Sequence, residues 1–431
     1  MRAAAAVALL SPLAALALGV VALAGHVALV LLGAALIVAT VGVGWVAVTS
    51  RGLARAVAGT LTLLCAAGLL ALLVTNWRGL AVFAGLVALL ALFGASSAYA
   101  LGRLRPPPTR HVAAAASPVL IVNERSGGGK AAVFDIAREA ERRGIRSVVL
   151  APGDDLHGLA ERELSAGADV IGMAGGDGSL ALVAGAAARA GAAFVCVPTG
   201  TRNHFALDLG LDRDHPVAAL DAFADGAERV IDLAEVNGRV FVNNASLGLY
   251  ANVVQSDAYR DAKLETWAQM LPDLLGRGAG APDLTFTAPG AGEIDDAPLI
   301  LVSNNRYELA NPAGAGTRPR LDGAELGILA TRVHTPADAS ALAALGMVGQ
   351  PARFPGLVSW TATEFVVDSK EPVAVGLDGE ALVLEPPLRF RTLPAALRVR
   401  VPTTAGPSPA ARSVALSGRS LRELACVAVG R

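Results

Sequence analysis

At 431 residues, with 53% hydrophobic side chains and a formal net charge of −1, the chain is long enough for several domains and too apolar for an ordinary soluble protein. Only 17% of residues are charged and 4% aromatic, with no long basic tract, so nucleic-acid binding has no electrostatic support. The three cysteines, Cys65, Cys196 and Cys426, lack the spacing of a zinc site or a redox pair and read as small buried hydrophobes.

The apolar excess sits at one end. Residues 1–100 contain no Asp, Glu or Lys and only four Arg. Four apolar stretches, 3–24, 27–48, 53–74 and 80–101, each reach about 20 residues, the length that crosses a bilayer. They predict four transmembrane helices over 1–102. A cleavable signal peptide is the alternative for the first stretch, which follows Met1-Arg2, but three more apolar stretches succeed it with hardly any polar spacer. In a four-span arrangement Arg2, Arg51, Arg55, Arg103, Arg105 and Arg110 share one side against Arg78 alone. The arginine bias therefore predicts a multi-pass protein of the cell membrane with both ends of this region, and all that follows, in the cytosol.

Residues 103–117, with Pro106-Pro107-Pro108 and an alanine run, read as a semi-rigid linker. From 118 to 228 short apolar runs at 118–122, 147–150, 169–173 and 193–197 alternate with helical patterns at 130–143, 156–166 and 179–190. That alternation predicts an α/β domain with a parallel sheet. From 229 to 402 the runs at 230–236 and 239–246 flank Asn237-Gly238, the dipeptide of a type I′ hairpin turn. Further strands are expected at 284–287, 299–303, 326–330, 361–367, 373–376, 381–384 and 397–401, with helices at 257–275 and 336–348. This half reads as a mostly antiparallel β-sandwich-like second domain. The tail, 403–431, is loose at first and ends in a helix expected to dock on the α/β domain.

Three glycine-bearing loops follow strands of the α/β domain. Gly175-Gly176-Asp177-Gly178-Ser179 closes the 169–173 run and opens a helix. Glycines let backbone amides approach a ligand, the helix start favours anions, and an Asp among them suggests a bridging Mg²⁺ or a hydrogen bond to a nucleotide. Asn123-Glu124-Arg125-Ser126-Gly127-Gly128-Gly129-Lys130 offers a hydroxyl, bare backbone and a Lys charge to phosphate, although it is neither a Walker A loop nor a dinucleotide fingerprint. Pro198-Thr199-Gly200-Thr201-Arg202-Asn203-His204 precedes another helix, which Thr201 or Asn203 could cap. Strand carboxyl ends gather such loops in a parallel sheet. In the second domain, Asp378 and Glu380 of Gly376-Leu377-Asp378-Gly379-Glu380 are two apart and expected to share a strand face, as base and metal partner for phosphoryl transfer to an alcohol. A hairpin turn with solvated carboxylates is the alternative.

The ordered set N-x-x-S-G-x-x-K, G-G-D-G-S, P-T-G-T-R-N-x-F-A and L-D-G-E resembles the diacylglycerol kinase catalytic family of lipid kinases over about 117–402. The resemblance implies ATP bound near Asn123, Ser126, Gly127 and Lys130, with Gly175, Gly176, Asp177, Gly178 and Ser179 as the main nucleotide loop and Gly200, Thr201 and Asn203 completing the pocket. It implies Mg²⁺, Asp177, Asp378 and Glu380 as catalytic residues, with Glu380 the usual proton acceptor, and Asp322 of Asp322-Gly323 as a ligand of a structural Mg²⁺. The chain departs from the family where His204 replaces an Asp, Ser179 a Thr and Glu124 a common Pro. Its implied partner is a lipid of the bilayer, diacylglycerol or a relative. A nucleotide-binding sensor without catalysis and a NAD kinase-like enzyme remain as alternatives. No motif reports an oligomeric state.

Overall fold

The computed structural model describes residues 1–50, 52–75, 77–102, 109–248, 283–290, 292–295, 297–309, 316–333, 338, 341–342, 345, 350–414 and 418–430. The helix expected at 257–275, and most of the one at 336–348, lie outside them.

Three helices occupy the apolar end: α1 (Arg2–Thr49), α2 (Gly52–Thr75) and α3 (Trp77–Ala100). This corrects the expected four. The break anticipated near Gly25 does not form, because a single glycine without proline or a polar cluster is tolerated inside a helix. At 1.5 Å per residue α1 extends about 72 Å, well beyond one hydrocarbon core. α2 runs along its second half, with Leu72 beside Gly33 and Thr62 beside Gly44, and α3 along its first, with Leu18 beside Gly85. Among the described residues two stretches, Arg2–Val21 and Gly52–Leu72, are long and apolar enough to cross a membrane, and Leu31–Gly44 and Ala84–Ala100 are apolar but shorter. Leu13, Leu16, Val21, Leu53 and Leu63 point outward, a surface that water penalises.

The soluble part opens with β1 (Arg110–Val112), β2 (Pro118–Val122), β3 (Arg146–Val149), β4 (Val170–Gly175) and β5 (Ala193–Pro198). Two long strands follow at its borders with the second half: β6 (Gly226–Val236), hairpinned to β7 (Arg239–Phe241), and, far down the chain, the 15-residue strand Leu388–Pro402. The sheet order is β1, β6, Leu388–Pro402, β5, β4, β2, β3, with the last four mutually parallel. The Leu388–Pro402 strand joins them parallel to β5 and antiparallel to β6. Continuous apolar runs such as Val119–Val122 suit this sheet because both faces are covered. Leu120, Val122 and Val195 face one core with Ile136 and Phe223, while Ile121, Met173 and Phe194 face the other with Leu180 and Val183. The helices are α4 (Lys130–Val133), α5 (Ile136–Arg142), α6 (Leu156–Ser165), α7 (Asp177–Ala190) and α8 (His204–Asp208). The pattern at 130–143 thus yields two helices, split where Asp135 takes a positive φ of 49°.

The second sheet is antiparallel. It contains β8 (Asn244–Gly248), then after the small pair β9 (Phe286–Ala288) and β10 (Gly292–Ile294) come β11 (Leu299–Asn304), β12 (Leu326–Thr331) and β13 (Leu357–Ala362). β14 (Glu364–Val367) pairs with Leu388–Pro402, here β17, and the hairpin β15 (Val373–Leu377) and β16 (Glu380–Leu384) completes the order β13-β12-β11-β8-β15-β16. The run expected as one strand at 361–367 is therefore two strands of different sheets. β6 and β17 serve both halves: Ile231, Leu233, Leu397 and Val399 lie in the first core, and Ala234, Val236, Leu388 and Phe390 in the second. Asn237 and Gly238 both have positive φ, 46° and 81°, as a type I′ turn requires.

Part of the expected linker is a strand, since Arg110–Val112 pairs with β6. The C-terminal helix, Gly418–Val429, docks on α1 and α3 instead of on the α/β domain. Its Leu421, Leu424 and Ala428 recur at helical spacing and meet Ala5, Ala8, Phe93 and Ala98, which supply the apolar surface that matches them. Cys196 is buried as expected, Cys65 is half-buried, and Cys426, on that helix, is exposed.

Candidate active site

The loops after β2, β4 and β5 lie side by side at the carboxyl ends of neighbouring strands. A Cβ on Gly127, whose φ is +58°, would fall 2.2 Å from the Thr199 carbonyl oxygen, and one on Gly200 would fall 2.5 Å from the Gly176 Cα. Only glycine fits either contact. The Gly200 N–H and the Asn203 side-chain amide both donate to the Gly175 carbonyl, at 3.0 and 2.9 Å. The Asn123 N–H donates to Ala174, tying the first loop to β4 at 2.9 Å, and the Ser126 hydroxyl lies beside Gly176. Gly176 is the N-cap of α7 and no side chain caps that helix, so its first-turn amides face the loops as an anion site.

Asp177 begins α7 but its carboxylate turns to α8, accepting from the His204 N–H at 2.9 Å and the Phe205 N–H at 3.3 Å. The cap of α8 thus comes from the glycine loop, 27 residues upstream, and not from Thr201, which is exposed, or Asn203. Asn203 takes φ 44° and is buried, as is Thr199; the Asn203 Oδ1 and Thr199 Oγ1 atoms have no hydrogen-bond partner. Unpartnered polar atoms beside a glycine cradle fit a nucleotide that completes them.

The acidic turn reaches this cradle from the second sheet. Asp378 and Gly379, at φ 48° and 86°, form a two-residue type I′ turn between β15 and β16. The expectation that Asp378 and Glu380 share a face is corrected, because period-two alternation ends where the chain reverses. The Asp378 carboxylate folds back and accepts the N–H groups of Val242, Asn243 and Asn244 at 2.8, 2.8 and 3.0 Å. Burial pushes its pKa up to about 7; the Val242, Asn243 and Asn244 amides pull it down and the Asp177 charge raises it. Glu380 is exposed and lies over the first turn of α7, where a Cβ on Gly178 would be 2.4 Å from its Oε1. All four loops therefore meet at one crevice, with Glu380 presented to it and Asp378 engaged as a backbone clamp.

Two predicted residues are otherwise engaged. The Lys130 ammonium donates to the Arg213 carbonyl. Asp322 is exposed, ion-paired to Arg320 at 2.9 Å, and borders a different cavity, with Arg229 and Glu228. Among the described residues no cluster of three or more His, Cys, Asp or Glu could hold a metal ion.

A cavity of about 460 Å³ opens beside the crevice, lined by the polar residues His204, Asn244, Arg306 and Tyr307 and the apolar residues Leu301, Leu329 and Trp360, among others. Sequence reasoning missed it. Three adjacent strands supply much of its lining, Leu301 and Ser303 of β11, Gly327 to Leu329 of β12, and Ser359 to Thr361 of β13. The small residues among them make the hollow, and each strand separately shows only ordinary alternation.

A sheet with phosphate-suited loops at its carboxyl edge, facing an acidic turn from a second antiparallel sheet, defines a two-domain phosphotransferase architecture. A family model described as diacylglycerol kinase catalytic domain matches residues 117–236. A probable lipid kinase YegS-like of Pseudomonas aeruginosa is 31% identical over 302 residues, covering 66% of this chain and 94% of that protein. A diacylglycerol kinase of Bacillus subtilis is 37% identical over 98 residues, 22% of this chain and 32% of its own. The crystal structure of a putative diacylglycerol kinase from Bacillus anthracis superposes with a TM-score of 0.52 at 20% identity, over 68% of this chain and 98% of that one, a likeness of fold. The chain belongs to the diacylglycerol kinase catalytic domain family.

Proposed function

We propose that the protein is a membrane-anchored, ATP- and Mg²⁺-dependent lipid kinase that phosphorylates the hydroxyl of diacylglycerol or a related lipid, with its catalytic part in the cytosol. The observation that carries this reading is the contact of Glu380 with the first turn of α7, which sets a carboxylate against the proposed triphosphate cradle. The uncapped α7 amides and the loop around Ser126 and Gly127 would hold the phosphates, and the unpartnered Thr199 and Asn203 atoms fit the same ligand. Glu124 and Asp177 are the carboxylates within these loops, and Asp177 already accepts two amides of α8. That suits Mg²⁺ carried on ATP, which takes most of its oxygens from phosphate and water, better than a metal caged by protein. When bound, the ion neutralises charge on the phosphates.

Glu380 takes the proton of the acceptor hydroxyl while that oxygen bonds to the γ-phosphorus and the bond to ADP breaks. Asp378, enclosed by three amides, holds the turn that presents Glu380. The cavity between His204, Tyr307 and Trp360 is large enough for part of an acyl chain or glycerol backbone. The apolar helices keep the crevice at high effective concentration near a substrate that stays in the bilayer.

The test incubates the full chain in lipid vesicles with Mg-ATP and, separately, diacylglycerol, a sphingoid base and a water-soluble alcohol, and identifies products by mass spectrometry. Phosphorylated diacylglycerol is expected. Transfer confined to the soluble alcohol would defeat the lipid assignment, and ATP binding without any transfer would favour the sensor.

A further inference from the structure

Among the described residues, the largest fully buried side chain is an arginine outside the crevice. Arg318 and Asp208 form an ion pair at 2.7 Å with neither side chain exposed. The Arg318 backbone N–H and Nε also donate to Asp208, at 2.7 and 2.8 Å. The rest of the guanidinium reaches the second sheet: Nη1 donates to the Val242 and Asn304 carbonyls, both at 2.6 Å, and Nη2 to the Asn243 Oδ1 at 2.9 Å. Its carbon lies 5.7 Å from the centre of the Tyr307 ring, whose hydroxyl accepts from Asn244.

The positions of these partners matter. Asp208 ends α8, the five-residue helix whose first amides are held by Asp177. Val242 and Asn243, gripped by Arg318 through carbonyl and side chain, hold Asp378 through their N–H groups. Two residues past Asp378, Glu380 returns to Gly178 of α7. A closed ring therefore runs from Asp177 through α8, Asp208, Arg318, residues 242–243 and Asp378 to Glu380, and back to the glycine loop. A third arm leaves the ring, as the Ser408 hydroxyl donates to the Arg318 carbonyl at 2.6 Å and the Ala410 N–H to the Thr317 hydroxyl at 3.0 Å. That segment leads to the helix docked on α1 and α3.

We propose that Arg318 is a positioning residue that fixes the span between the nucleotide loops and Glu380 by gripping both halves of the crevice at once. Burying an ion pair of this kind contributes little net stability compared with apolar side chains of the same volume, so stability alone is a weak reason for it. A planar guanidinium with five donors in a fixed fork can bind a carboxylate on one edge and carbonyls on the other, which an ammonium cannot. The inference rests on the kinase reading for its kinetic test and on geometry alone for its second.

The kinetic test compares full-length wild type with Arg318→Lys, which keeps the charge facing Asp208 and forfeits the fork. We expect a melting temperature within a few degrees of wild type, a KM for ATP within about threefold, and a kcat lower by about 100-fold, the scale of an ångström-sized misplacement of reacting groups. A kcat within threefold of wild type overturns the proposal. Should Arg318→Lys not fold, Asp208→Asn, which weakens the α8 arm and leaves the others, is judged by the same split.

The second test needs no turnover. In a chain with Cys65, Cys196 and Cys426 replaced by Ala, Gly178→Cys and Glu380→Cys are oxidised and their disulfide is followed by mass spectrometry. Bond formation at least several-fold slower with Arg318→Lys is expected, and equal rates overturn the proposal. If wild type phosphorylates no lipid while the disulfide rates differ, the kinase reading falls and the positioning role stands.

Discussion

The two walls of the crevice are built from different materials. The α/β wall is backbone: a Cβ on Gly127 would collide with Thr199 and one on Gly200 with Gly176, and the amides of α7 are left uncapped. The facing wall is side chain: Asp378 grips three amides and Glu380 projects from the turn it stabilises. The first wall should therefore tolerate changes of charge nearby and no change of volume, and the second the reverse. A phosphate needs close, numerous donors, which backbone supplies, whereas moving a proton needs a titratable group, which only a side chain supplies.

The sharpest way to break the comparison is Glu380→Gln, which keeps shape and removes the base. We expect kcat to fall by about 10²–10⁴-fold with ATP affinity unchanged, measured by product formation and equilibrium nucleotide binding. Gly200→Ala makes the opposite change, adding one methyl against Gly176. Overpacking of about 1–3 kcal/mol should weaken ATP binding by about ten- to a hundredfold, and calorimetric titration would show it. Equal affinity in that variant would mean that the backbone contact is not the cradle.

Asp378→Asn probes the clamp. The Asp378 pKa, pushed up to about 7 from an ordinary 3.8, means that the folded chain holds this proton more tightly than the unfolded chain. The associated stabilisation is complete below the unfolded value, near pH 4, and is lost as pH rises through about 7. Wild type should accordingly lose melting temperature between about pH 5 and pH 8, and Asp378→Asn should flatten that slope while lowering stability by about 1–3 kcal/mol through its mismatched amides. A slope identical in the two proteins would place the titration elsewhere. The smallest effect belongs to Asp322→Asn, which breaks an exposed pair with Arg320 and should change stability by less than about 1 kcal/mol. A loss of activity in this variant, recovered by added Mg²⁺, would instead assign Asp322 a metal.

Much of the α/β half was legible because its signals are local. Pro118–Val122, Val170–Gly175 and Ala193–Pro198 are continuous apolar runs, and the loop that follows each carries glycine, at Gly127, Gly176 and Gly200. Order along the chain then places the three loops together, since successive parallel strands carry them to one edge. The Asn237-Gly238 and Asp378-Gly379 dipeptides are equally local turn signals, and both form type I′ turns. At the apolar end, composition marks the segment and two of its three breaks, near residues 50 and 76, and misplaces the one near Gly25, where a single glycine does not stop a helix.

What the amino-acid order determined by itself is therefore the list of short-range decisions: where apolar runs begin, where glycine lets the chain turn, and which residues bear charge. Tertiary structure alone decided that the cap of α8 comes from Asp177, that Asp378 and Glu380 face apart, that β6 and β17 serve two cores, and that Arg318 meets Asp208 across 110 residues. The physical reason is range. Periodicity and turn propensity act within a few residues, whereas a buried carboxylate or guanidinium must find its partners wherever the fold brings them, at a separation no local pattern records.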